Sequence, residues 1–179
     1  MPLNTGEIIL AYPSIWPSIS GTGSVIGGTG IASTPVSSIA TGIFPTGSSS
    51  VPGGSSFVRY SKLFYMHTGF TGTGNNLSNP FLYITNEAIS DQISIAPDPY
   101  WLGVTNHTTQ TGTSTGRASL PDGLSSSHFS GRTASTPLRF NTTLSSGQSL
   151  GFWVKMTVPA GLTSRSDNSF DFVLMGDIV

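Results

Sequence analysis

Serine, histidine and aspartate are the residues of this sequence whose side chains could carry catalysis. Ser114 lies in the segment GTSTG, which matches the G-x-S-x-G pattern of hydrolase nucleophile elbows. Such an elbow needs a buried strand before the serine and a helix after it. The flanking residues predict neither element, so we interpret Ser114 as a loop serine. The sequence predicts no catalytic residue.

The residue types that bind metals or work as acid and base are also poorly spaced. His67, His107 and His128 are far apart in sequence, and the chain has no cysteine that could supply a thiolate or a disulfide. Most of the aspartates neighbour Gly, Pro, Asn or Ser, which is typical of turns rather than of a catalytic pair. These aspartates are Asp91, Asp98, Asp122, Asp167, Asp171 and Asp177. The sequence therefore predicts no enzyme, no metal site and no cofactor.

The amino-acid composition indicates the fold class and argues against some classes of partner. Charged residues make up 8% of the 179 residues, where a typical globular chain has about 25%. Abundant Gly, Ser, Thr and Pro favour strands and turns over helices, so the sequence predicts an all-β protein. The net charge is −1 and the basic residues are scattered, which argues against nucleic acid as a partner. No stretch approaches the roughly 20 apolar residues of a membrane span, so no membrane is expected.

Residues 1–56 differ from the rest of the chain. Their only charged side chain is Glu7, and prolines and Gly-Thr-Gly steps interrupt them. They also carry apolar side chains, which favour an extended N-terminal arm that adds a strand to a neighbouring subunit over a flexible linker. The predicted interface residues are Ile8, Ile9, Leu10, Tyr12, Ile15 and Trp16.

Residues 57–179 show strand patterns at regular intervals. In FVRYSKLFYMH, side chains at every second position share a face that we expect to be core, namely Val58, Tyr60, Phe64 and Met66. Further strands are predicted at 80–85, 92–96 and 136–142, each bounded by turn residues. We expect a single antiparallel β-sandwich, immunoglobulin-like or jelly-roll-like, over these residues.

The last two strands have the clearest alternation. In SLGFWVKMTV the core face is predicted to hold Leu150, Phe152, Val154, Met156 and Val158. The other face, which we expect to meet solvent or a partner, holds Ser149, Trp153, Lys155 and Thr157. The final strand, in NSFDFVLMGD, is predicted to bury Phe170, Phe172 and Leu174.

Aromatic side chains and one long polar stretch are candidates for binding. The stretch between Trp101 and Arg132 has no convincing strand pattern, and loops of this length are usually functional or mobile. Tyr83, Tyr100, Trp101 and Trp153 are candidates for a sugar-stacking platform or for interface anchors. Simple packing in the core or in loops explains them equally well. We take Tyr100 and Trp101 as possible ligand contacts.

Three segments resemble a pattern found in small virion structural proteins of tailed bacteriophages. They are LYITNEAISDQISIAPDP, SLGFWVKMTVPAG and NSFDFVLMGD, in that order within residues 57–179. The resemblance implies a β-sandwich in the virion, as a capsid cement or decoration subunit, a neck component or a tail-associated subunit. It implies other virion proteins as partners and a homo-oligomer, and it transfers no catalytic residue. The alternative is a tail-associated module for host recognition that binds a glycan.

Overall fold

A computed structural model of the chain describes residues 8–11, 56–67, 76–85, 92–98, 120, 123–146, 148–160 and 170–179. Within these ranges the backbone forms strands and one short 3-10 turn at Ser126–His128. The strands are β1 Ile8–Ala11, β2 Phe57–His67, β3 Leu77–Thr85, β4 Ile93–Pro97, β5 Leu138–Arg139, β6 Thr143–Leu144, β7 Ser149–Val158 and β8 Asp171–Ile178. The all-β prediction is confirmed for this part of the chain, and none of its helical segments is long and apolar enough to cross a membrane.

The first sheet has the strand order β1-β2-β7-β4, and each neighbouring pair is antiparallel. Its centre is the long pairing of β2 with β7, which runs from Phe57 opposite Val158 to Met66 opposite Ser149. Strand β4 extends the sheet on the far side of β7. On the opposite edge β1 pairs with β2 of the same chain, with Ile8 opposite His67.

The second sheet is built around β3. Strand β8 pairs antiparallel with β3 along one edge, and the two-residue strands β5 and β6 pair with the other edge. The β3–β8 register shifts between Ser78 and Phe81. Asn79 lies in this bulge with a φ of 48°, a left-handed conformation that asparagine tolerates better than most residues.

The inner faces of both sheets contribute to one cluster of buried apolar side chains, called the shared cluster below. Its buried members are Leu63, Tyr65, Leu77, Leu82, Ile84, Ile93, Ile95, Leu138, Phe140, Leu144, Leu150, Phe152 and Val154. Phe152 stands at its centre, with its ring centroid 5.6 Å from that of Tyr65 and 5.3 Å from that of Phe172. Removing this apolar surface from water is the main force that holds the sheets together.

The predicted core face of β7 is confirmed at Leu150, Phe152 and Val154, and the predicted core face of β2 is buried at Tyr60 and Phe64. Leu63 and Tyr65 contribute to the shared cluster, whereas Tyr60 packs in a separate buried cluster on the other side of the sheet. Both faces of β2 carry apolar residues, so a period of two could not decide which face meets the second sheet.

Several predicted features lie outside the described residues. They include Tyr12, Ile15 and Trp16 of the arm, the possible ligand contacts Tyr100 and Trp101, and Ser114. The division of the chain between residues 56 and 57 stays a prediction. Strand β1 belongs to the predicted arm, and it lies on the edge of the first sheet.

Candidate functional site

The candidate site lies on the outer face of the first sheet, which is the face turned away from the shared cluster. The strand register puts Lys62 and Ala96 on either side of Trp153 in one row across the sheet. In the next row Phe64 lies opposite Gly151. Asp98 follows the end of β4 and donates its backbone N–H to the carbonyl oxygen of Gly151, at 3.3 Å. The pairing of three strands therefore brings a lysine and an aspartate to one place.

Lys62 and Asp98 form an ion pair between Nζ and Oδ2, and both side chains are 0% exposed. Because β7 lies between β2 and β4, the lysine side chain must cross the middle strand to reach the carboxylate. Gly151 leaves room for this crossing. A Cβ atom at that position would lie 3.1 Å from Asp98 Oδ2 and 3.3 Å from Phe64 Cε1.

Aromatic groups surround the ion pair. The indole Nε1–H of Trp153 donates to the second carboxylate oxygen, Asp98 Oδ1, at 3.4 Å. Lys62 Nζ lies 5.2 Å from the ring centroid of Phe64 and 5.6 Å from that of Trp153, within the range of cation–π attraction. The charged groups are thus held among rings, with one indole donor aimed at the carboxylate.

Burial dominates the electrostatics of the pair. Desolvation lowers the pKa of Lys62 from 10.5 to about 8, although the charge of Asp98 and its hydrogen bond to Lys62 act in the opposite direction. The charged form of a buried amine loses its hydration, and one nearby carboxylate replaces only part of it. Deprotonation of Lys62 to a neutral, nucleophilic amine therefore costs less free energy than deprotonation of a lysine at the surface.

A second buried cluster covers part of this outer face. It contains Tyr60, Ala96, Phe129 and Trp153, with the rings of Tyr60 and Phe129 5.4 Å apart. The backbone of Ser130 exchanges two hydrogen bonds with Ile95, at 3.0 and 3.2 Å. The described end of the polar stretch predicted between Trp101 and Arg132 thus packs along β4. Burial raises the pKa of Tyr60.

Sequence reasoning missed this site. It expected the face of β7 that carries Trp153 to meet solvent or a partner, which is wrong at Trp153 because that residue is 2% exposed. It interpreted Asp98 as a turn residue and did not predict that Asp98 is 0% exposed. The pairing depends on strand order, which no local pattern encodes. One signal was present in the sequence: Lys62 lies on the same predicted strand face as the apolar residues Val58, Tyr60, Phe64 and Met66.

The outer face of the second sheet is different and is called the open face below. It carries Phe81, Tyr83, Arg139 and Met175, of which Met175 is 48% exposed. The guanidinium carbon of Arg139 lies 5.3 Å from the ring centroid of Phe81. The Tyr83 hydroxyl donates to Met175 Sδ at 3.6 Å. A half-exposed apolar surface with an arginine at its edge has the composition of a protein interface.

The structure describes the positions of some of the remaining predicted site residues. Ile8 and Leu10 are half-buried and pack against the shared cluster. Trp153 is buried, which favours packing over a sugar platform, and Tyr83 lies on the open face. Among the described residues, no three His, Asp or Glu side chains gather as a metal site would need.

Comparisons of the chain with protein-family models, with curated proteins and with solved structures found no match in any of the three.

Proposed function

We propose that this chain is a non-enzymatic structural protein in the virion of a tailed bacteriophage. In this proposal it is a β-sandwich behind an N-terminal arm, and it serves as a capsid cement or decoration subunit or as a neck component. The arm attaches it to other virion proteins or to further copies of itself. The resemblance of three segments to such proteins supports this function, and so does the very low content of charged residues.

The observation that carries the proposal is the position of β1. Ile8–Ala11 adds to the free edge of β2 as an antiparallel strand, and Ile8 and Leu10 pack against the shared cluster. An edge strand offers unpaired backbone donors and acceptors to any strand of matching register. Strand addition at a sheet edge is a common way in which one protein captures a segment of another. The arm therefore has a binding mode available in this fold.

The chain between β1 and β2 is long enough for the same pairing to form between neighbours. It comprises residues 12–56, and an extended chain covers about 3.3 Å per residue, so it could span a distance on the order of 100 Å. Exchange of an identical strand between copies preserves every contact and creates an oligomer at low cost. A protein repeated by symmetry on a particle gains stability from such exchange.

The shared cluster supports the sandwich part of the proposal. Side chains of both sheets, among them Leu63 and Leu82, are fully buried in it, as expected when two sheets pack face to face. The open face then remains as a second surface for contacts within the particle.

Binding to particles purified without this protein tests the proposal. We expect the full-length variant Leu10→Asp to lose binding, because a carboxylate at this position opposes both strand addition and apolar packing. Ala134→Asp, which puts the same charge on an exposed turn residue outside β1 and the open face, is the matched control and should bind like the wild type. A synthetic peptide of residues 1–56 should compete with the wild-type chain. Wild-type binding by a folded Leu10→Asp variant, together with no competition by the peptide, would refute attachment through the arm.

Glycan recognition is a second candidate, and the open face favours it. The rings of Phe81 and Tyr83 stack with centroids 6.4 Å apart and planes 19° apart, and aromatic rings beside polar groups suit sugar binding. A glycan array with the full chain distinguishes the two functions. Saturable binding that is lost in Tyr83→Ala or Trp101→Ala would favour recognition over a purely structural role.

A further inference from the structure

The Lys62–Asp98 pair is a costly feature for a protein with so few charges. Charged residues form 8% of the chain, yet two of them form an ion pair with 0% exposure on the outer face of the first sheet. Apolar residues of similar volume often replace such a buried pair without loss of stability. An amine and a carboxylate are therefore in contact at a buried place where stability alone does not require them.

We propose that Lys62 and Asp98 react with each other to form an intramolecular isopeptide bond between Nζ and Cγ. The bond would tie β2 to the end of β4 across β7. It is a modification site, and it goes beyond the virion function proposed above because it needs neither a particle nor a partner.

The position of the two groups supports the reaction. Backbone pairing fixes Lys62 in β2, and the hydrogen bond from Asp98 N–H to Gly151 O fixes the aspartate beside it. Holding two reacting groups in contact is equivalent to effective concentrations of roughly 10⁵ to 10⁸ M in well-oriented cases. Gly151 contributes by leaving the space through which the lysine reaches the carboxylate.

The surroundings favour the reactive forms of both groups. Burial lowers the pKa of Lys62 to about 8, so transfer of a proton from the ammonium to the carboxylate is less costly than in water. That transfer yields a neutral amine and a carboxylic acid. Trp153 Nε1–H donates to Asp98 Oδ1, the oxygen that becomes negative when the amine attacks. A donor already in place for that charge lowers the barrier.

The reaction balances without any further reagent. One ammonium proton moves to Asp98 Oδ2, and the Nζ lone pair then forms a bond to Cγ while the C=O electrons move to Oδ1. A second proton moves from Nζ to the Oδ2 hydroxyl, the Cγ–Oδ2 bond breaks, and water leaves as the Oδ1 carbonyl re-forms. The ammonium and the carboxylate have become one amide and one water. Exclusion of solvent from this face disfavours the reverse hydrolysis.

Mass spectrometry of the denatured full-length chain tests the proposal. We expect the wild type to be lighter than its sequence by one water molecule, and the loss to be absent in Asp98→Ala and in Lys62→Arg. Lys155→Arg is the matched control, since Lys155 lies on the same sheet, and it should keep the loss. Proteolytic mapping should give one branched peptide that joins the segments around Lys62 and Asp98.

Each outcome either establishes or refutes the isopeptide bond. A folded wild-type chain with its full sequence mass would overturn the proposal, and it would do so whether or not the variants fold. A water loss that maps to a cyclic imide, for example at Asp122 before Gly123, would overturn it as well. The branched peptide would establish the bond, and the cross-linked wild type should then migrate differently from Asp98→Ala on a denaturing gel.

Discussion

The two sheets share one apolar cluster between them, yet their outer faces have opposite characters. On the first sheet part of the outer face, called the covered face, is buried, with Lys62 and Asp98 at 0% exposure and Trp153 at 2%. On the second sheet the open face leaves Met175 48% exposed. Burial removes water from Lys62 and Asp98, which lowers the stability of the fold and raises the reactivity of the two groups. The half-exposed apolar surface of the second sheet remains accessible. This difference is the basis for proposing an amide bond on the first sheet and contacts with partners on the open face.

The largest effect is expected from removing one half of the buried pair. Asp98→Ala leaves a buried lysine without its carboxylate, and we expect it to be less stable than the double variant Lys62→Met/Asp98→Leu by about 3–5 kcal/mol. Neither variant can form the amide, so their difference isolates the buried charge. Urea unfolding at neutral pH measures it. A difference below about 1 kcal/mol would mean that this face admits enough water to solvate the lysine.

Replacing one aromatic side chain with alanine on each outer face tests whether the covered face is more deeply buried than the open face. Trp153→Ala on the covered face should lower the free energy of unfolding by about 3–5 kcal/mol, because it opens a cavity and removes the indole donor to Asp98. Tyr83→Ala on the open face should cost about 1 kcal/mol or less. The same denaturant titration serves both variants. Equal losses would show that the two faces are buried to the same extent in solution.

Sequence patterns predicted the long strands well, but the strand predicted over 136–142 is limited to Leu138–Arg139, and the surroundings of the strands were predicted poorly. The alternation in SLGFWVKMTV correctly predicted a strand at Ser149–Val158 and its core residues Phe152 and Val154. It could not show that the opposite face, with Trp153, is also covered. Alternation reports which residues share a face, whereas coverage depends on a distant segment such as the one that contains Phe129.

The candidate site was still harder to predict. Lys62 lies in β2 and Asp98 directly follows β4, and the two residues meet across β7, which lies between these strands. No spacing in the sequence encodes that order. A lysine on an otherwise apolar strand face is a usable signal, since burying it requires a partner, but the signal does not identify the partner.

Alanine substitutions at two glycines, one in each sheet, should have smaller effects on stability. A Cβ at Gly176 in the second sheet would lie 2.8 Å from both Leu77 Cγ and the backbone oxygen of Ser78. We expect Gly176→Ala to cost about 1–3 kcal/mol, because backbone must move. Gly151→Ala on the covered face should cost less, since its contacts at 3.1 and 3.3 Å are to side chains. Thermal unfolding of both variants checks this order, and a larger loss for Gly151→Ala would mean that the covered face is the more rigid.

The smallest expected effect concerns the pH dependence of the free energy of unfolding. Lys62 should contribute nothing to it once the amide has formed. For an unreacted Lys62 the pKa is lowered from 10.5 to about 8, so between these values the unfolded chain binds more protons than the folded one. Stability would then rise with pH through that window. An amide has no such proton to gain. We therefore expect the unfolding free energies of the wild type and of Lys62→Gln to run parallel from pH 8 to 10.5.

Other titrating groups do not disturb this test. Burial raises the pKa of Tyr65, and so its ionisation in the unfolded chain lowers stability above its ordinary pKa of 10. Because Tyr65 is present in both proteins, its contribution cancels in their difference. A wild-type curve that climbs relative to Lys62→Gln would mean that the amine still titrates. The covered face would then be held by an ion pair alone, and the two outer faces would differ in burial without differing in chemistry.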